Sequence, residues 1–161
     1  MSFYKQALDL EKQTSEYYQS LNQRCSDEGI KNILNMLARD HQKHQNIFKE
    51  MINSNCSEQP SGKTYQKIVE IFKQIKAKKT QFNCNQKQIE LYKHGLDLIR
   101  KKLDFYQDGF KNIDCEKDKN ILKQIIEEEQ KQVYVFEDII EMVNRTETWI
   151  ENAEFYHFEE Y

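Results

Sequence analysis

The chain has 161 residues, which is enough for one domain with a complete hydrophobic core. It contains 38% hydrophobic and 32% charged residues with only 4 Gly and 1 Pro, so little interrupts long helices and the turn-rich pattern of an all-β protein is excluded. The formal net charge of −3, with lysines and glutamates interspersed, excludes a basic surface of the kind that binds DNA or RNA.

The sequence also lacks membrane and secretion signals. No apolar run approaches the length of about 18 residues that a membrane-spanning helix needs. The N-terminus, which begins Met1-Ser2-Phe3-Tyr4-Lys5, has no apolar core of a secretory signal. We therefore expect a cytoplasmic protein with neither a membrane nor a nucleic acid as partner.

The first half of the chain is predicted to form two antiparallel helices. Residues 4–26 are amphipathic, and Glu11 lies inside their apolar stripe. After a break of a few residues, the second helix, 30–53, places His41 and His44 three residues apart on the same face. Two helices that are joined by so short a turn must lie side by side in opposite directions.

Residues 54–85 are predicted to form a long crossover that contains a short helix at 65–79. A crossover of about 30 residues can span a helical bundle, so the next helix can begin at the end where the first pair finished. Strong helical periodicity then predicts a third helix at 86–111 and a fourth at 117–144.

An internal repeat relates the two halves of the chain at a constant offset of 88 residues, without a gap. The matched segments include Tyr4-Lys5 with Tyr92-Lys93, Leu8-Asp9-Leu10 with Leu96-Asp97-Leu98, and Lys31-Asn32-Ile33-Leu34 with Lys119-Asn120-Ile121-Leu122. Helical patterning alone would match the apolar positions but not these polar ones. The sequence therefore predicts a duplicated helical hairpin, with repeat one at 4–53 and repeat two at 86–144.

The C-terminal tail, residues 145–161, departs from both repeats. It contains one tryptophan, two phenylalanines and two tyrosines: Trp149, Phe155, Tyr156, Phe158 and Tyr161. So much aromatic area is unfavourable in water, so we expect the tail to pack across the bundle or on a second subunit. This predicts a homodimer or a larger homo-oligomer.

Several motifs carry a resemblance to a known family. They are Ala7-x-x-x-Glu11 followed by Tyr17-Tyr18, the Leu37-Ala38 run that ends in His44, the second-half counterparts of both, and Trp149-Ile150-Glu151-Asn152-Ala153-Glu154-Phe155 near the C-terminus. Through them the chain resembles the rubrerythrin-like branch of the ferritin-like superfamily. The resemblance implies a single all-α domain over 1–161: a ferritin-like four-helix bundle of two repeated antiparallel helix pairs, with the crossover and the aromatic tail added.

The resemblance also implies a di-iron centre inside the bundle. Family members take one Glu from each of the first and third helices and a Glu-x-x-His from each of the second and fourth. Carried over to this chain, four of the six positions keep a metal-binding donor: Glu11, His41, His44 and Glu129. The third-helix Glu is replaced by Ile99 and the fourth-helix His by Gln132, and both losses fall on the same one of the two metal positions.

Three states of this centre are compatible with the residues. The four donors hold a single ion, or they form a metal-free polar core of Glu–His pairs, or a two-metal site persists. For a single ion, iron is the metal that the family implies, and manganese and zinc also suit such ligands. No haem or nucleotide is expected.

The functional expectation is a diverged rubrerythrin-like metal-binding protein in iron handling or in peroxide and oxidative-stress defence. The family implies a peroxidase or another oxidoreductase, but the residues at 99 and 132 argue against full di-iron activity, and no catalytic residue is assigned. The chain has no Cys-x-x-Cys pair for a rubredoxin-type iron site, so a redox reaction would need an external electron donor. The alternative is a metal-free pseudo-enzyme that serves as a dimeric scaffold or binding module.

Overall fold

The structure, a computed structural model, describes residues 2–56, 58–78 and 88–144. Within these residues the chain forms five α-helices and no β-strand: α1 (Phe3–Arg24), α2 (Glu28–Ile52), α3 (Thr64–Lys78), α4 (Ile89–Phe110) and α5 (Glu116–Asn144). The all-α prediction is confirmed. The helix bounds differ from the predicted ones by at most three residues. None of the described helices combines the length and apolar character needed to cross a membrane.

Two predicted segments lie outside the described residues. They are the aromatic tail, 145–161, and the segment 79–87, which contains the end of the predicted crossover and the first two residues of the predicted third helix. The predicted packing of the tail on the bundle or on a second subunit therefore stays a prediction.

The connection between α1 and α2 lies two residues earlier than the sequence pattern predicted, at 25–27 rather than 27–29. The Asp27 side chain accepts a hydrogen bond from the backbone N–H of Ile30 at 3.0 Å, which satisfies a donor that the helix itself leaves unpaired. The helix consequently begins at Glu28, and Gly29 lies in its first turn rather than in the break. This cap turns the chain back within a few residues, so α1 and α2 are neighbours.

The four long helices pack as two antiparallel pairs. α1 packs mainly on α2, and α4 packs mainly on α5. Between α1 and α2, Asn22 donates to the carbonyl of Lys31 near one end, whereas Glu11 meets His41 at mid-length, so the two helices run in opposite directions. α3 lies against α2 and α5 on the outside of the bundle.

The core consists of two apolar clusters with a polar layer between them. One cluster lies toward the α1–α2 turn and includes Leu21, Ile33 and Phe136. The other lies toward the opposite end and includes Ala7, Phe48 and Ile121. Between them are five buried ionisable side chains: Glu11, His41, His44, Lys102 and Glu129. Because buried polar groups are costly when unpaired, the side chains of this layer must pair with one another or bind a ligand.

Candidate metal centre

The four side chains predicted as ligands meet in the polar layer. Glu11 comes from α1, His41 and His44 from α2, and Glu129 from α5. Each offers a donor atom, and these atoms all lie within 4.8 Å of one another. All four residues are completely buried. The helical register predicted from the sequence is what brings these donors to one point, since each lies on the buried stripe of its helix.

The inner edges of both imidazole rings face the two carboxylates. Nδ1 of His41 lies 2.5 Å from Oε2 of Glu11 and 3.5 Å from Oε1 of Glu129. Nδ1 of His44 lies 3.5 Å and 3.6 Å from the same two oxygens. One nitrogen of each ring is therefore directed into the space between the carboxylates.

The outer edges of the rings are held by residues of α5. Nε2 of His41 donates to Oε1 of Gln132 at 2.8 Å, and Nε2 of His44 donates to Oε2 of Glu128 at 2.7 Å. Oε1 of Gln132 also accepts from the Tyr18 hydroxyl at 3.0 Å. An imidazole that binds a metal typically donates its other N–H to a carboxylate or carbonyl in this way. The rings are thus oriented as metal ligands are.

Gln132 and Glu128 are functional residues that the sequence reasoning missed. The sequence indicates only a lost ligand at Gln132, whereas its carbonyl oxygen accepts from Nε2 of His41 and orients that ring. Glu128 lies beside the predicted ligand Glu129, and its second oxygen accepts from the backbone N–H of Gly62 at 2.8 Å. A usable signal was the acidic run 127–129 on α5, because neighbouring residues of a helix face different sides and can contact different partners.

The contact between Nδ1 of His41 and Oε2 of Glu11 requires a proton or a metal ion between the two atoms. A lone pair on Nδ1 and a carboxylate oxygen are both acceptors, and two acceptors at 2.5 Å repel each other. A proton on Nδ1 removes this repulsion, and so does a metal ion bound by both atoms. The metal-free polar core and the single-ion centre therefore share the same ring orientation.

A lysine, Lys102 of α4, also enters the polar layer. Its ammonium nitrogen lies 3.3 Å from Oε1 of Glu11, 3.0 Å from Oε1 of Glu129 and 3.0 Å from Nδ1 of His41. The sequence reasoning missed it, although it falls in register with Ile99 on the buried stripe of α4. Lysine is rarely buried without anionic partners, and here two carboxylates supply them.

The charges in this layer hold both carboxylates ionised. Burial raises the pKa of Glu11, but the charges of Lys102, His41 and His44 outweigh burial and hold that pKa well below its usual value. Burial likewise opposes ionisation of Glu129, but Lys102 and His41 lower its pKa. Burial lowers the pKa of His44, yet Glu11, with hydrogen bonds to the surrounding carboxylates, raises it well above 6.5. Without a metal, His44 is therefore a cation at neutral pH.

Two tyrosines complete the layer as neutral donors. The hydroxyl of Tyr106 donates to Oε1 of Glu11 at 2.5 Å, and Tyr18 donates to Gln132. Burial, together with the charges of Glu11 and Glu129, raises the pKa of both phenols well above 10.0. Both hydroxyl groups stay protonated at neutral pH and fix the acceptors that they contact.

The family comparison agrees with this architecture. The family model described as Rubrerythrin matches residues 3–140, which extend from the start of α1 almost to the end of α5. Searches of curated proteins and of solved structures give no significant match. Since the family match covers most of the 161 residues and contains all four clustered donors, the chain belongs to the rubrerythrin family of the ferritin-like di-iron superfamily.

Proposed function

We propose that this protein is a rubrerythrin-family metal protein that holds one divalent ion with Glu11, His41, His44 and Glu129. The observation that carries the proposal is the orientation of the two imidazoles, each with Nδ1 directed between the carboxylates and Nε2 bonded on the outside. Such an arrangement presents two nitrogen and two oxygen donors to one point.

Unpaired atoms support an ion at this point. Among the described residues, Oε2 of Glu129 is a buried side-chain atom without a hydrogen-bond partner, and Nδ1 of His44 makes only two long contacts, of 3.5 and 3.6 Å. Each such atom costs about 1–3 kcal/mol when it is left unsatisfied. A divalent ion between the donors would accept lone pairs from both atoms, so the residues present fit one ion.

A second ion does not fit the same layer. At the third-helix ligand position Ile99 is fully buried and offers no lone pair. At the fourth-helix position the Gln132 oxygen already accepts two hydrogen bonds, from His41 and Tyr18. The terminal ligands of that position are therefore lost, and a reaction that needs two adjacent metals is not supported.

The roles of the chain's own residues follow from these contacts. The carboxylates of Glu11 and Glu129 would compensate the charge of the ion. Gln132 and Glu128 orient the two imidazole rings. The apolar clusters on both sides of the layer keep bulk water away from it. An iron or manganese ion bound here would supply a Lewis acid capable of one-electron transfer, whereas zinc would supply a Lewis acid alone.

We assign the protein to iron handling or to peroxide and oxidative-stress defence in the cytoplasm, with iron as the first choice of metal. This assignment rests on the family, in which these donor positions hold iron. Reduction of a peroxide would require an electron donor from outside the chain. Full di-iron peroxidase activity is not expected, because the second metal position lacks its ligands.

Metal analysis tests the proposal directly. Untagged protein that has been supplied with Fe²⁺, Mn²⁺ or Zn²⁺ and freed of excess ion should retain close to one equivalent of at least one of them. The Glu11→Gln variant should retain far less, because it removes a buried carboxylate, whereas Glu16→Gln changes an exposed carboxylate of the same helix and should behave like the wild type. Less than about 0.2 equivalents of every metal in the wild type would sink the proposal.

The second candidate function is a metal-free scaffold, and the buried lysine favours it. Lys102 and a protonated His44 together can balance Glu11 and Glu129 without an ion. A scaffold should form a stable homodimer or larger assembly in both metal-loaded and chelator-treated protein. Light scattering at micromolar concentration measures this, and a monomer would contradict the predicted self-association.

A further inference from the structure

The ammonium of Lys102 occupies a place where a cation is required. It lies within 3.3 Å of an oxygen of Glu11 and 3.0 Å of an oxygen of Glu129, and it is 3.0 Å from Nδ1 of His41. These are three of the four residues that we assign as metal ligands. Only 1% of the Lys102 surface is exposed, so water does not compensate for its charge.

The internal repeat shows how the two halves of the chain differ beside the site. At the offset of 88 residues Glu11 corresponds to Ile99, and Thr14 corresponds to Lys102 one turn later. The second copy thus has an aliphatic residue where the first has a carboxylate, and an ammonium where the first has a hydroxyl. Both differences make this side of the layer more positive, by two charges in total. The hydroxyl of Thr14 remains 3.4 Å from the Lys102 nitrogen.

Counted together with Glu128, which contacts His44 from the rim of the layer, the charges balance with one divalent ion and not with two. Three carboxylates contact the two imidazoles: Glu11, Glu128 and Glu129. With neutral imidazoles, one divalent ion and the ammonium together supply three positive charges against three negative ones. A second divalent ion would leave two uncompensated positive charges in a buried layer, which is strongly unfavourable.

We infer that the Lys102 ammonium takes the place of one of the two metal cations of the family's centre and thereby restricts this centre to a single divalent ion. The inference rests on the proposed metal-binding function and specifies how the site is limited. The ammonium stabilises the carboxylates when no ion is bound, and it repels an ion that approaches the same oxygens. The metal-free protein therefore remains folded, and its affinity for metal is lower than the donor set alone would give.

Titration with Co²⁺ tests this inference, because the visible absorption of Co²⁺ reports its coordination. The proteins are the wild type, Lys102→Met, which keeps much of the side-chain length and removes the charge, and Lys101→Met as a control at the exposed neighbouring position. We expect Lys102→Met to bind Co²⁺ at least about tenfold more tightly than the wild type, since a positive charge close to the ion is removed. Lys101→Met should match the wild type.

Thermal unfolding of the same proteins gives a second measurement. In the presence of a chelator, Lys102→Met should melt well below the wild type, because its carboxylates have lost their counter-charge. Saturating Co²⁺ should bring the melting temperature of Lys102→Met most of the way back to that of the wild type. Lys102→Gln provides a second uncharged variant if Lys102→Met does not fold without metal, and folding of either variant that depends on Co²⁺ also supports the inference.

The outcomes separate this inference from the proposed function. If the wild type binds Co²⁺ and Lys102→Met binds it with the same affinity and stability, the inference is wrong and the proposed function stands. If the wild type binds no ion but Lys102→Met does, the proposed function fails, and the single-ion limit fails with it, because the ammonium then excludes metal altogether. Failure of both uncharged variants to fold even with saturating Co²⁺ would overturn the inference, since an ion would then not replace the lost charge.

Discussion

Gln132 illustrates how the role of a single residue depends on what surrounds it. Its side-chain oxygen receives hydrogen bonds from Nε2 of His41 and from the hydroxyl of Tyr18, which come from two different helices. A histidine at this position would offer a metal ligand but no carbonyl acceptor for these two donors. Restoring the family ligands with Ile99→Glu and Gln132→His would therefore disturb His41 and would still leave the ammonium of Lys102 in the layer.

The Gln132→Met variant tests the orienting role. It keeps the volume and removes the acceptor, so Nε2 of His41 and the Tyr18 hydroxyl lose their partner. We expect metal affinity to fall by about 10–100-fold, the usual effect of losing the group that orients a metal-binding histidine. Isothermal titration with Co²⁺ measures the change. Gln130→Met, at an exposed position two residues earlier, is the control, and equal affinity of the two variants would contradict this role.

At the scale of single helices, Gly95 lets α4 approach both α1 and α5 closely. A Cβ atom at this position would lie 2.7 Å from Cε1 of Phe136 on α5 and 3.3 Å from Cε1 of Tyr17 on α1. Both contacts are tighter than side chains normally accept, and the Phe136 ring is fully buried. Glycine thus lets three helices meet near the polar layer.

The Gly95→Ala substitution should destabilise the bundle. Alanine favours a helix over glycine by about 1 kcal/mol, but overpacking in a well-packed core costs about 1–3 kcal/mol and acts in the opposite direction. We expect a net loss of about 1 kcal/mol in the free energy of unfolding, measured with urea. In the Gly95→Ala and Phe136→Leu double variant the losses should be less than additive, because the smaller side chain makes room. Strict additivity would show that the two residues do not compete for space.

At the scale of the whole molecule, a layer of ionisable groups lies in the middle of an apolar bundle. Its stability depends on pH because the groups titrate differently in the folded and unfolded chain. The pKa of Glu11 and that of Glu129 are lowered, so their contribution is present above about 4.5 and is lost as the pH falls. The pKa of His44 is raised, so its contribution is present below about 6.5 and is lost as the pH rises through the folded value.

The metal-free protein should consequently be most stable between about pH 4.5 and 6.5. Thermal unfolding of chelator-treated protein, followed by circular dichroism across pH, measures this. The melting temperature of His44→Gln should no longer decline as the pH rises on the alkaline side. The melting temperature of His94→Gln, a change at an exposed position, should still decline there. A wild-type melting temperature that rises steadily from pH 6.5 to pH 9 would contradict the assignment.

The sequence alone determined the helices and the four donors. Apolar residues at helical spacing predicted each long helix to within a few residues. A helix that buries one face carries this spacing in its own sequence, so the pattern can be recognised without knowledge of its neighbours. The same spacing placed Glu11, His41, His44 and Glu129 on buried stripes, and the repeat related the two halves. These inferences need only the position of a residue on its own helix.

Only the tertiary structure decided what fills the space between the donors. Whether the Lys102 ammonium turns inward, and whether Gln132 meets His41, depends on the distances between side chains of different helices, which no pattern along one helix contains. Lysine is normally placed on the solvent side of a helix, so its burial became visible only when two carboxylates from other helices were found beside it. Contacts of this kind arise from packing, and packing is a property of the whole bundle.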